Sequence, residues 1–548
     1  MCGIYAAVSA STQGAIAAAL EQSLRSRGPD YVGTVETRLE GGSDLLSLYF
    51  TSTVLSLRGE HVAEQPLIDN TSGSILCWNG EVWKMRGQSI GNGNDGQVLL
   101  TELGAARRYS TGQADTVVDV LRTIEGPFAF VYFDKPNRRL YYGRDRLGRR
   151  SLLLNQGDLL TLASVAGLPK TGWVEVDADG CYSIELDPSG FSAHTTPTRH
   201  AWAQDKEFIS SLGVFNTATR AANAPLTRQS PSVVQLRDML IKSLRLRVLG
   251  VPLPPGASSK DARIAVLFSG GVDCTVLARL TSDVLPAEHA IDLINVAFEN
   301  PRIAADKRKL SGADVFEMCP DRLTGRRSFS ELVETCPARR WRLVTVNVPF
   351  SLTSCHRSKI IDLMYPHNTE MDLSIAYALY FAARGSGLCQ SSPCEEARPY
   401  TTTARVLVSG FGADELFGGY TRHATAFNRQ GYAGLVEELM LDMRRLGKRN
   451  LGRDDRVMAH WGREVRFPFL DEDLAKWAIG LPVFEKCDFG NGSDIVQGLE
   501  ASKRVVRLLA QDLGLQSAAA EKKRAIQFGA RTAKMESARV KGTALIAP

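Results

Sequence analysis

Short apolar segments separated by turn residues fill the first 195 positions of the chain. They include TSTVLSLRG, SILCWNGEVW, GPFAFVYFD, RRLYYGRD, DLLTLAS and GCYSIEL. Segments of this length, rich in β-branched and aromatic residues, predict strands joined by tight turns. One or two helices are also expected in this region, and residues 13–24 and 97–108 are the candidates. The pattern predicts an antiparallel, hairpin-rich α+β domain over residues 2–195.

The pattern changes after residue 195. Residues 196–230 are rich in Thr, Pro, Asn and Ala and show little periodicity, which predicts a linker. Beyond it, ARIAVLF runs into SGGVDCTVLARL, and ARVLVSG runs into FGADELFGGY. Alternating strands and helices predict an α/β domain with a parallel sheet over residues 231–548. Loops are expected at residues 300–329 and 385–402.

Length and composition narrow the functional classes. A chain of 548 residues, 44% hydrophobic and 23% charged, is typical of a globular protein of two to four domains. Its 65 basic and 60 acidic residues leave a net charge of +5, too small to predict a nucleic-acid surface. Neither a signal peptide nor a membrane helix is expected. Ten scattered cysteines, without metal-ligand spacing, are typical of reduced thiols and favour a cytoplasmic location.

The segment LFSGGVDCTVLA, residues 267–278, predicts a phosphate-binding turn. Glycines let the backbone approach an anion closely, and the following helix N-terminus offers unpaired N–H groups. Asp273 is suited to holding Mg²⁺ beside the phosphates. G-x-G-x-x-G and G-K-[ST] are both missing from this segment. The string resembles the pyrophosphate loop of ATP pyrophosphatases, which split ATP into AMP and pyrophosphate.

The second strand–turn–helix unit, SGFGADELFGGY, repeats this logic at residues 409–420. Ser409 and Gly410 end the predicted strand, and Asp414 follows as a candidate second Mg²⁺ ligand. The alternative is an ordinary helix N-terminus at which acidic residues interact with the helix dipole.

The chain begins MCGIYAAVS, with Cys2 directly behind the initiator methionine. Methionine removal would leave Cys2 with a thiol nucleophile and an α-amine base, and would argue against a cleaved leader. The alternative is a small buried residue on a first strand. Asn79 and Gly80 in WNGEVW could form an oxyanion hole, and Asp95 in GNDGQVLL could hold a substrate ammonium group. Considered separately, Asn79 and Gly80 are also typical of a hairpin turn, and Asp95 is typical of a helix cap.

Together and in this order, MCGI, RGPD, NGE, ND before a helix, FAFVYFD and GRDRLG resemble the class II glutamine amidotransferase domain. With the pyrophosphate loop and WGREVRFPFLD, the whole resembles asparagine synthetases. PDRLTGRRSFSEL and YPHNTEMDLSIAYALYFAARG resemble the asparagine synthetase domain-containing branch more closely. The resemblance implies an αββα sandwich of the Ntn type. An α/β ATP-pyrophosphatase domain of the adenine nucleotide alpha hydrolase kind would follow it.

The resemblance also implies residue roles. Cys2 would be the nucleophile that releases ammonia from glutamine, and an ATP-activated aspartate carboxylate would accept it. Catalysis would use Cys2, Asn79 and Gly80, and glutamine would bind to Asn79, Glu81, Asp95 and Arg58. ATP would bind to Leu267, Ser269, Gly270, Gly271, Asp273, Cys274, Val296, Ser409 and Gly410, with Mg²⁺ on Asp273 and Asp414. The expected partners are glutamine, ATP and a carboxylate acceptor. Whether the chain forms a homodimer is left open.

Four positions depart from the family pattern. Val54 stands where an arginine would bind the glutamine α-carboxylate, and Arg58 is the candidate replacement. Phe411, Ala525 and Tyr377 replace a glutamate, a lysine and an arginine of the synthetase half. Arg524, beside Ala525, is the candidate replacement for the lysine. Three functions therefore stay open: asparagine synthesis, amidation of another acceptor, and a pseudoenzyme or interaction protein. RNA thiolation is weaker, because such proteins do not normally carry an amidotransferase domain.

Overall fold

The computed structural model describes residues 2–10, 14–59, 61–91, 93–108, 116–219, 225–303, 314–491, 498–535 and 541–546. The chain forms two compact units. The first contains Met1–Ser211 with Asp362–His367 and Arg445–Arg463, and the second contains the remainder. The sequence-based boundaries placed the last two of those segments in the second domain. Within the described ranges, no helix combines the length and apolar character that a membrane crossing requires.

Two six-stranded antiparallel sheets form the centre of the first unit. In spatial order, the first sheet contains Trp173–Glu175, Leu153–Gln156, Leu160–Ala163, Gly3–Ser9, Asp44–Val54 and Tyr31–Gly41. The second contains Thr198–Ala201, Gly180–Glu185, Arg139–Arg144, Phe128–Asp134, Ile75–Gly80 and Leu67–Ile68. A small third sheet contains Gln88–Ser89, Lys84–Met85 and Ile124–Glu125.

The two large sheets pack face to face because alternate residues on their facing sides are apolar. Ile4, Phe50, Cys77 and Val131 are all buried in one shared hydrophobic core. Helix Ala18–Arg27 covers the outer face of the first sheet through residues such as Leu24. Helices Asp95–Arg108 and Thr116–Arg122 cover the outer face of the second sheet. The order of layers is therefore helix, sheet, sheet, helix.

A fourth helix of the first unit comes from far along the chain. It spans Leu451–Ala459, and every one of its residues is buried. Four of its consecutive residues are charged, namely Arg453, Asp454, Asp455 and Arg456. Charged side chains at zero exposure require ionic partners. In this helix Asp455 pairs with Arg27 and Arg456 pairs with Glu175, and the Ser151 backbone nitrogen also donates to Asp455.

The second unit is built on a seven-stranded mixed sheet. Its spatial order is Arg398–Thr401, Ser386–Gln390, Trp341–Val348, Ile291–Phe298, Ile264–Leu267, Val406–Val408 and Glu464–Arg466. The last five strands run parallel, and the first two add an antiparallel hairpin. Strands Phe208–Ile209 and Gly213–Val214 lie outside these sheets. In the parallel part, strands Ile264–Leu267 and Val406–Val408 are neighbours, so the turns that follow them lie at the same sheet edge.

Helices surround this sheet. They span Pro231–Val248, Val272–Val284, Pro320–Thr335, Phe350–Met364, Glu370–Arg384, Ala413–Phe417, Thr421–Arg449, Glu472–Gly480, Arg504–Asp512, Gln516–Ala520 and Ile526–Gly529. Short 3₁₀ turns span Pro468–Leu470, Val483–Glu485 and Phe489–Asn491. The long helix Thr421–Arg449 is interrupted by non-helical backbone at Gln430 and Gly431.

Several predicted irregular segments are regular in the structure. The expected loop 300–329 contains the start of helix Pro320–Thr335, and its residues 304–313 lie outside the described ranges. The expected loop 385–402 is the antiparallel hairpin, so the sheet is mixed rather than wholly parallel. Strand Thr198–Ala201 lies within the expected linker. These segments were misread because hairpin pairing and helix packing outweighed their polar composition.

Candidate active sites

Cys2 lies immediately before the central strand Gly3–Ser9 and is 9% exposed. Its backbone nitrogen donates to Asn79 Oδ1 at 3.0 Å. Its carbonyl oxygen accepts from Arg27 Nε at 3.4 Å. Met1 lies outside the described residues, so its predicted removal stays a prediction. Both the backbone nitrogen and the carbonyl oxygen of Cys2 are therefore fixed by hydrogen bonds.

Asn79 has the geometry of an oxyanion-binding residue. Its Oδ1 is committed to Cys2, while its buried Nδ2 has no hydrogen-bond partner among the described residues. A buried unsatisfied donor is costly unless a ligand completes it. Gly80 follows on the same strand, where a Cβ atom would lie 2.6 Å from the Pro127 carbonyl oxygen. Asn79 and Gly80 lie at the end of strand Ile75–Gly80, and their role in binding an oxyanion stays a prediction.

Gln65 is a neighbour of Cys2 that the sequence analysis missed. Its Nε2 lies 3.9 Å from Cys2 Sγ, and its Oε1 accepts from the Trp78 backbone nitrogen at 2.9 Å. Gln65 is therefore fixed by the strand that carries Asn79. Nothing in the surrounding sequence AEQPL distinguishes this residue from a polar turn residue.

Arg58, Glu81 and Asp95 come together in the first unit. Arg58 Nη1 donates to the Val82 carbonyl oxygen at 2.8 Å and lies 3.5 Å from Glu81 Oε2, while its Nη2 bonds the Gly91 carbonyl oxygen. Asp95 accepts from Trp78 Nε1 at 3.0 Å and from the Val82 nitrogen at 2.9 Å. Burial raises the pKa of Asp95, and these hydrogen bonds and Arg58 oppose that rise. Val54, where the family has arginine, is buried in the core.

The first phosphate-type turn of the second unit follows strand Ile264–Leu267. Gly270 has φ +81°, and a Cβ atom there would lie 2.5 Å from Gly325 N, so this position requires glycine. Ser328 Oγ donates to the Gly270 carbonyl oxygen at 2.7 Å. Cys274 is buried and its thiol faces the Gly271 carbonyl oxygen inside the turn, so burial raises its pKa. The Cys274 side chain therefore contacts the backbone of the turn.

The remaining predicted ATP residues lie around the same sheet edge. Leu267 ends its strand, and Val296 lies further along the neighbouring strand Ile291–Phe298. Ser409 and Gly410 follow strand Val406–Val408, and a Cβ atom at Gly410 would lie 3.0 Å from Asp273 Cβ. The two turns therefore meet beside Asp273.

Two lysines join the two predicted metal ligands. Lys503 Nζ lies 2.7 Å from Asp273 Oδ2 and 2.9 Å from Asp414 Oδ1. Lys523 Nζ contacts Asp414 Oδ2. Because the two carboxylates share one ammonium group, they converge on a common point that a cation can occupy. Asp273 Oδ1 is also buried without a hydrogen-bond partner among the described residues, so this donor set fits Mg²⁺.

A pocket opens in front of the first turn. Five basic side chains line it, namely Lys503, Arg507, Lys522, Lys523 and Arg524, together with the acidic Asp273, Asp321 and Glu521. The excess of positive charge suits a polyphosphate. Of these basic residues, only Arg524 was considered from the sequence, as a candidate replacement for the lysine missing at Ala525. They belong to a C-terminal region whose sequence contains no phosphate-binding motif.

The structure places the three departures of the synthetase half in different surroundings. Phe411 lies in the second turn, and its ring packs edge-on against Phe467 with centroids 6.0 Å apart. Ala525 precedes the short helix Ile526–Gly529, directly after the pocket-lining Arg524. Tyr377 is buried in helix Glu370–Arg384. Arg524 donates to Thr324 Oγ1 at 3.1 Å, so a cation is present beside the position of the missing lysine.

Asp321 is the titratable group of this pocket with the clearest expected pH effect. It is 7% exposed, and burial raises its pKa to about 7, although Arg524 and Lys523 oppose the rise. Its carboxyl group is therefore neutral below pH 7 and negative above it. A negative charge in the pocket opposes an anionic ligand. Ionisation of Asp321 should thus weaken the binding of ATP as the pH rises through 7, and a variant without this carboxyl group should lack that effect.

The test compares ATP affinity of wild type and Asp321→Asn by calorimetry at pH 6 and pH 8. We expect the ratio of the two affinities to change about tenfold between these pH values, which is the effect of ~1.4 kcal/mol of charge repulsion. Asp512→Asn, on an exposed carboxylate of the second unit, is the control. A ratio that stays constant with pH would contradict the assigned titration.

Comparisons with known proteins identify a family match in each half of the chain. Residues 1–180 match the family model of the glutamine amidotransferase domain, and residues 386–543 match that of asparagine synthase. "Asparagine synthetase domain-containing protein 1" of Gallus gallus is 32% identical over 640 residues, covering 98% of each chain. "Asparagine synthetase [glutamine-hydrolyzing]" of Brassica oleracea is 23% identical, covering 88% of this chain and 70% of that one.

Among solved structures, the "allosteric regulatory enzyme of purine biosynthesis" matches at 14% identity. The match covers 48% of this chain and 60% of that chain, with a TM-score of 0.27. A TM-score of this size is too low to establish a shared fold.

Proposed function

We propose that this chain, which belongs to the family of asparagine synthetase domain-containing proteins, is a glutamine-dependent amidotransferase. Its first unit would hydrolyse glutamine to glutamate and ammonia. Its second unit would use ATP to activate a carboxylate that accepts the ammonia. The observation that carries the first half is Asn79, which binds the Cys2 backbone nitrogen with one amide atom and leaves the other free of described partners.

The glutaminase step follows from these contacts. After methionine removal, the Cys2 α-amine, whose ordinary pKa is about 7.7–8.0, takes the thiol proton. The thiolate adds to the side-chain carbonyl carbon of glutamine. Asn79 Nδ2 and the Gly80 N–H stabilise the resulting oxyanion. The amine then returns the proton to the leaving nitrogen, ammonia departs, and water hydrolyses the thioester to glutamate and free thiol.

Glutamine would be oriented by charged groups of the same unit. Arg58 would pair with its α-carboxylate in place of the arginine missing at Val54. Asp95 and Glu81 would receive its α-ammonium group. Asp95 already accepts from Trp78 and Val82, so its carboxylate is fixed before the substrate arrives. A preorganised carboxylate loses little entropy on binding.

In the second unit, ATP would bind over the turn Ser269–Gly271. Backbone N–H groups at the start of helix Val272–Val284 would contact the phosphates. Lys503, Lys523 and Arg507 line the same pocket and would neutralise them. Asp273 and Asp414 would hold Mg²⁺, which lowers the negative charge of a departing pyrophosphate. A carboxylate oxygen of the acceptor attacks the α-phosphorus, pyrophosphate leaves, and ammonia then displaces AMP.

The identity of the acceptor is the finer part of this proposal. Family resemblance points to aspartate, but Phe411 offers neither a proton nor a charge where the family has a glutamate. That observation favours a second candidate, in which another carboxylate is amidated. It also leaves room for a third, in which the ATP half is a scaffold for protein interactions.

A product assay distinguishes these functions. Purified protein is incubated with ATP, Mg²⁺ and glutamine, with and without aspartate, and glutamate, pyrophosphate and asparagine are measured separately. We expect glutamate to form even without ATP. Pyrophosphate that appears with aspartate supports aspartate activation. Failure to form glutamate under every condition would contradict the proposal.

Asp273→Asn tests the ATP half directly. We expect this substitution to remove the Mg²⁺ dependence of nucleotide binding, because one of two converging carboxylates is lost. Calorimetry with ATP, at fixed nucleotide and with Mg²⁺ present or absent, measures the effect. Asp283→Asn is the matched control, since Asp283 lies on the same helix but pairs with Arg279 near the surface. Unchanged Mg²⁺ dependence in Asp273→Asn would refute the assignment.

A further inference from the structure

Helix Leu451–Ala459 has an unusual composition for a buried element. Asp455 and Arg456 are both 0% exposed, and Arg453 and Asp454 are almost as deeply buried. An ordinary buried helix carries apolar residues at such positions. Buried charges of this kind depend on their partners, because removal of one member of a buried ion pair leaves the other uncompensated.

Asp455 connects this helix to Cys2. Its Oδ2 accepts from Arg27 Nη2 at 2.7 Å and from the Ser151 backbone nitrogen at 3.2 Å. Arg150 Nη1 lies 3.7 Å from its Oδ1. Arg27 is itself 0% exposed, and its Nε donates to the Cys2 carbonyl oxygen. One guanidinium group thus lies between the Asp455 carboxylate and the main chain of Cys2.

The main chain of Cys2 is thereby held from two sides. Asn79 accepts from its nitrogen, and Arg27 donates to its carbonyl oxygen. The side chain of Asn79 is placed by a sheet strand. That of Arg27 extends from the last turn of helix Ala18–Arg27, and its orientation depends on the ion pair at its far end. Without the carboxylate, the guanidinium group would lose its fixed orientation and carry an unbalanced buried charge.

We propose that Asp455 is a positioning residue for glutamine hydrolysis, which acts through Arg27 to fix the Cys2 main chain against Asn79. The inference rests on the proposed role of Cys2 as the nucleophile. A displacement of about 1 Å at a reacting group can cost about 10²-fold in rate. Loss of Asp455 should therefore lower the rate of the chemical step and leave glutamine binding by Arg58 and Asp95 intact.

The experiment uses the full chain with Asp455→Asn and a matched control, Asp454→Asn. Asp454 lies on the same buried helix and pairs with Arg453, so its loss also removes a buried ion pair. Two labels are applied to Cys2 and followed by peptide mass spectrometry. The glutamine analogue 6-diazo-5-oxo-L-norleucine requires Cys2 to be aligned with the glutamine site. Iodoacetamide requires only an accessible thiol.

We expect Asp455→Asn to lower kcat for glutamine hydrolysis and the rate of labelling by the diazo analogue by about 10- to 100-fold. KM for glutamine and the rate of iodoacetamide labelling should stay within about twofold. Asp454→Asn should leave kcat, KM and both labelling rates within about twofold of wild type. This should hold even if Asp454→Asn lowers the melting temperature as much as Asp455→Asn does. Asp455→Glu, which retains the carboxylate, should restore part of the loss. If Asp455→Asn does not fold, Arg27→Lys supplies the same comparison.

The possible results distinguish failure of the positioning role of Asp455 from failure of the proposed glutaminase function. If the diazo analogue labels wild-type Cys2 and labels Asp455→Asn equally fast, the positioning role is wrong and the nucleophile assignment stands. Equal losses in Asp455→Asn and Asp454→Asn would also overturn the positioning role, since they would indicate a general loss of packing. If Cys2 of the wild type is not labelled at all, the proposed glutaminase function fails, and the inference fails with it.

Discussion

Replacing Cys2 by alanine should abolish glutamate release from glutamine. Alanine has no nucleophilic group that could replace the Cys2 thiol beside Asn79. Removing the nucleophile of a hydrolase typically costs about 10⁶-fold, so we expect a loss of at least about 10⁴-fold. Glutamate formation, measured by coupled assay over a range of glutamine concentrations, gives the result.

Two controls accompany that measurement. Cys394→Ala removes an exposed thiol of the second unit and should retain wild-type activity. Intact-mass analysis of the wild type should show loss of Met1, because the α-amine acts as the base only when it is free. Glutamate release that survives in Cys2→Ala at wild-type level would refute the nucleophile assignment.

Asparagine synthesis should be absent or at least about a hundredfold slower than in an ordinary asparagine synthetase. Phe411 packs against Phe467 at a position where the family has an acid, and Ala525 lies where it has a lysine. Losing one general acid–base group typically costs about 10²- to 10⁴-fold. The loss of the lysine should lower the rate further, although not additively. Glutaminase activity should persist in the same preparation.

The double substitution Phe411→Glu with Ala525→Lys tests this explanation. It should raise the output of asparagine, measured by amino-acid analysis with aspartate as the acceptor. The single substitutions are the matched controls and should recover less. Efficient glutamine-dependent asparagine formation by the wild-type chain would refute the compromised-site explanation. In that case Glu415, whose pKa burial and Asp414 raise to about 7, or Arg524 would have taken over the missing roles.

Much of the fold was predictable because its strands are short, apolar and punctuated by turns. Strand Phe128–Asp134 is buried throughout and reads as a central strand from its sequence alone. Helix Leu451–Ala459 was not predictable as a buried element, because GRDDR has the composition of a solvated face. Its burial depends on arginines and carboxylates that are hundreds of residues away along the chain. The start of helix Pro320–Thr335 was hidden for a similar reason, since its basic residues read as a loop.

The residues of the candidate sites also differ in whether the sequence could predict them. Ser269, Gly270 and Asp273 stand in a contiguous motif whose spacing reflects the turn they form. Lys503, Gln65 and Asp321 have no such motif. Each reaches its site through tertiary packing, as Lys503 does by contacting both Asp273 and Asp414. A single sequence contains no local pattern that records such a contact.

The first unit is not continuous along the chain. A fragment that ends at Ser211 would retain Cys2, Asn79 and both six-stranded sheets, yet it would lack the helix that carries Asp455. Arg27 would then lose the carboxylate with which it pairs, and with it the contact that orients its guanidinium group toward the Cys2 carbonyl oxygen. The two halves of this protein therefore cannot be exchanged between relatives as modules. A chimera that joins the amidotransferase half of one relative to the ATP half of another must transplant residues 445–463 with the first.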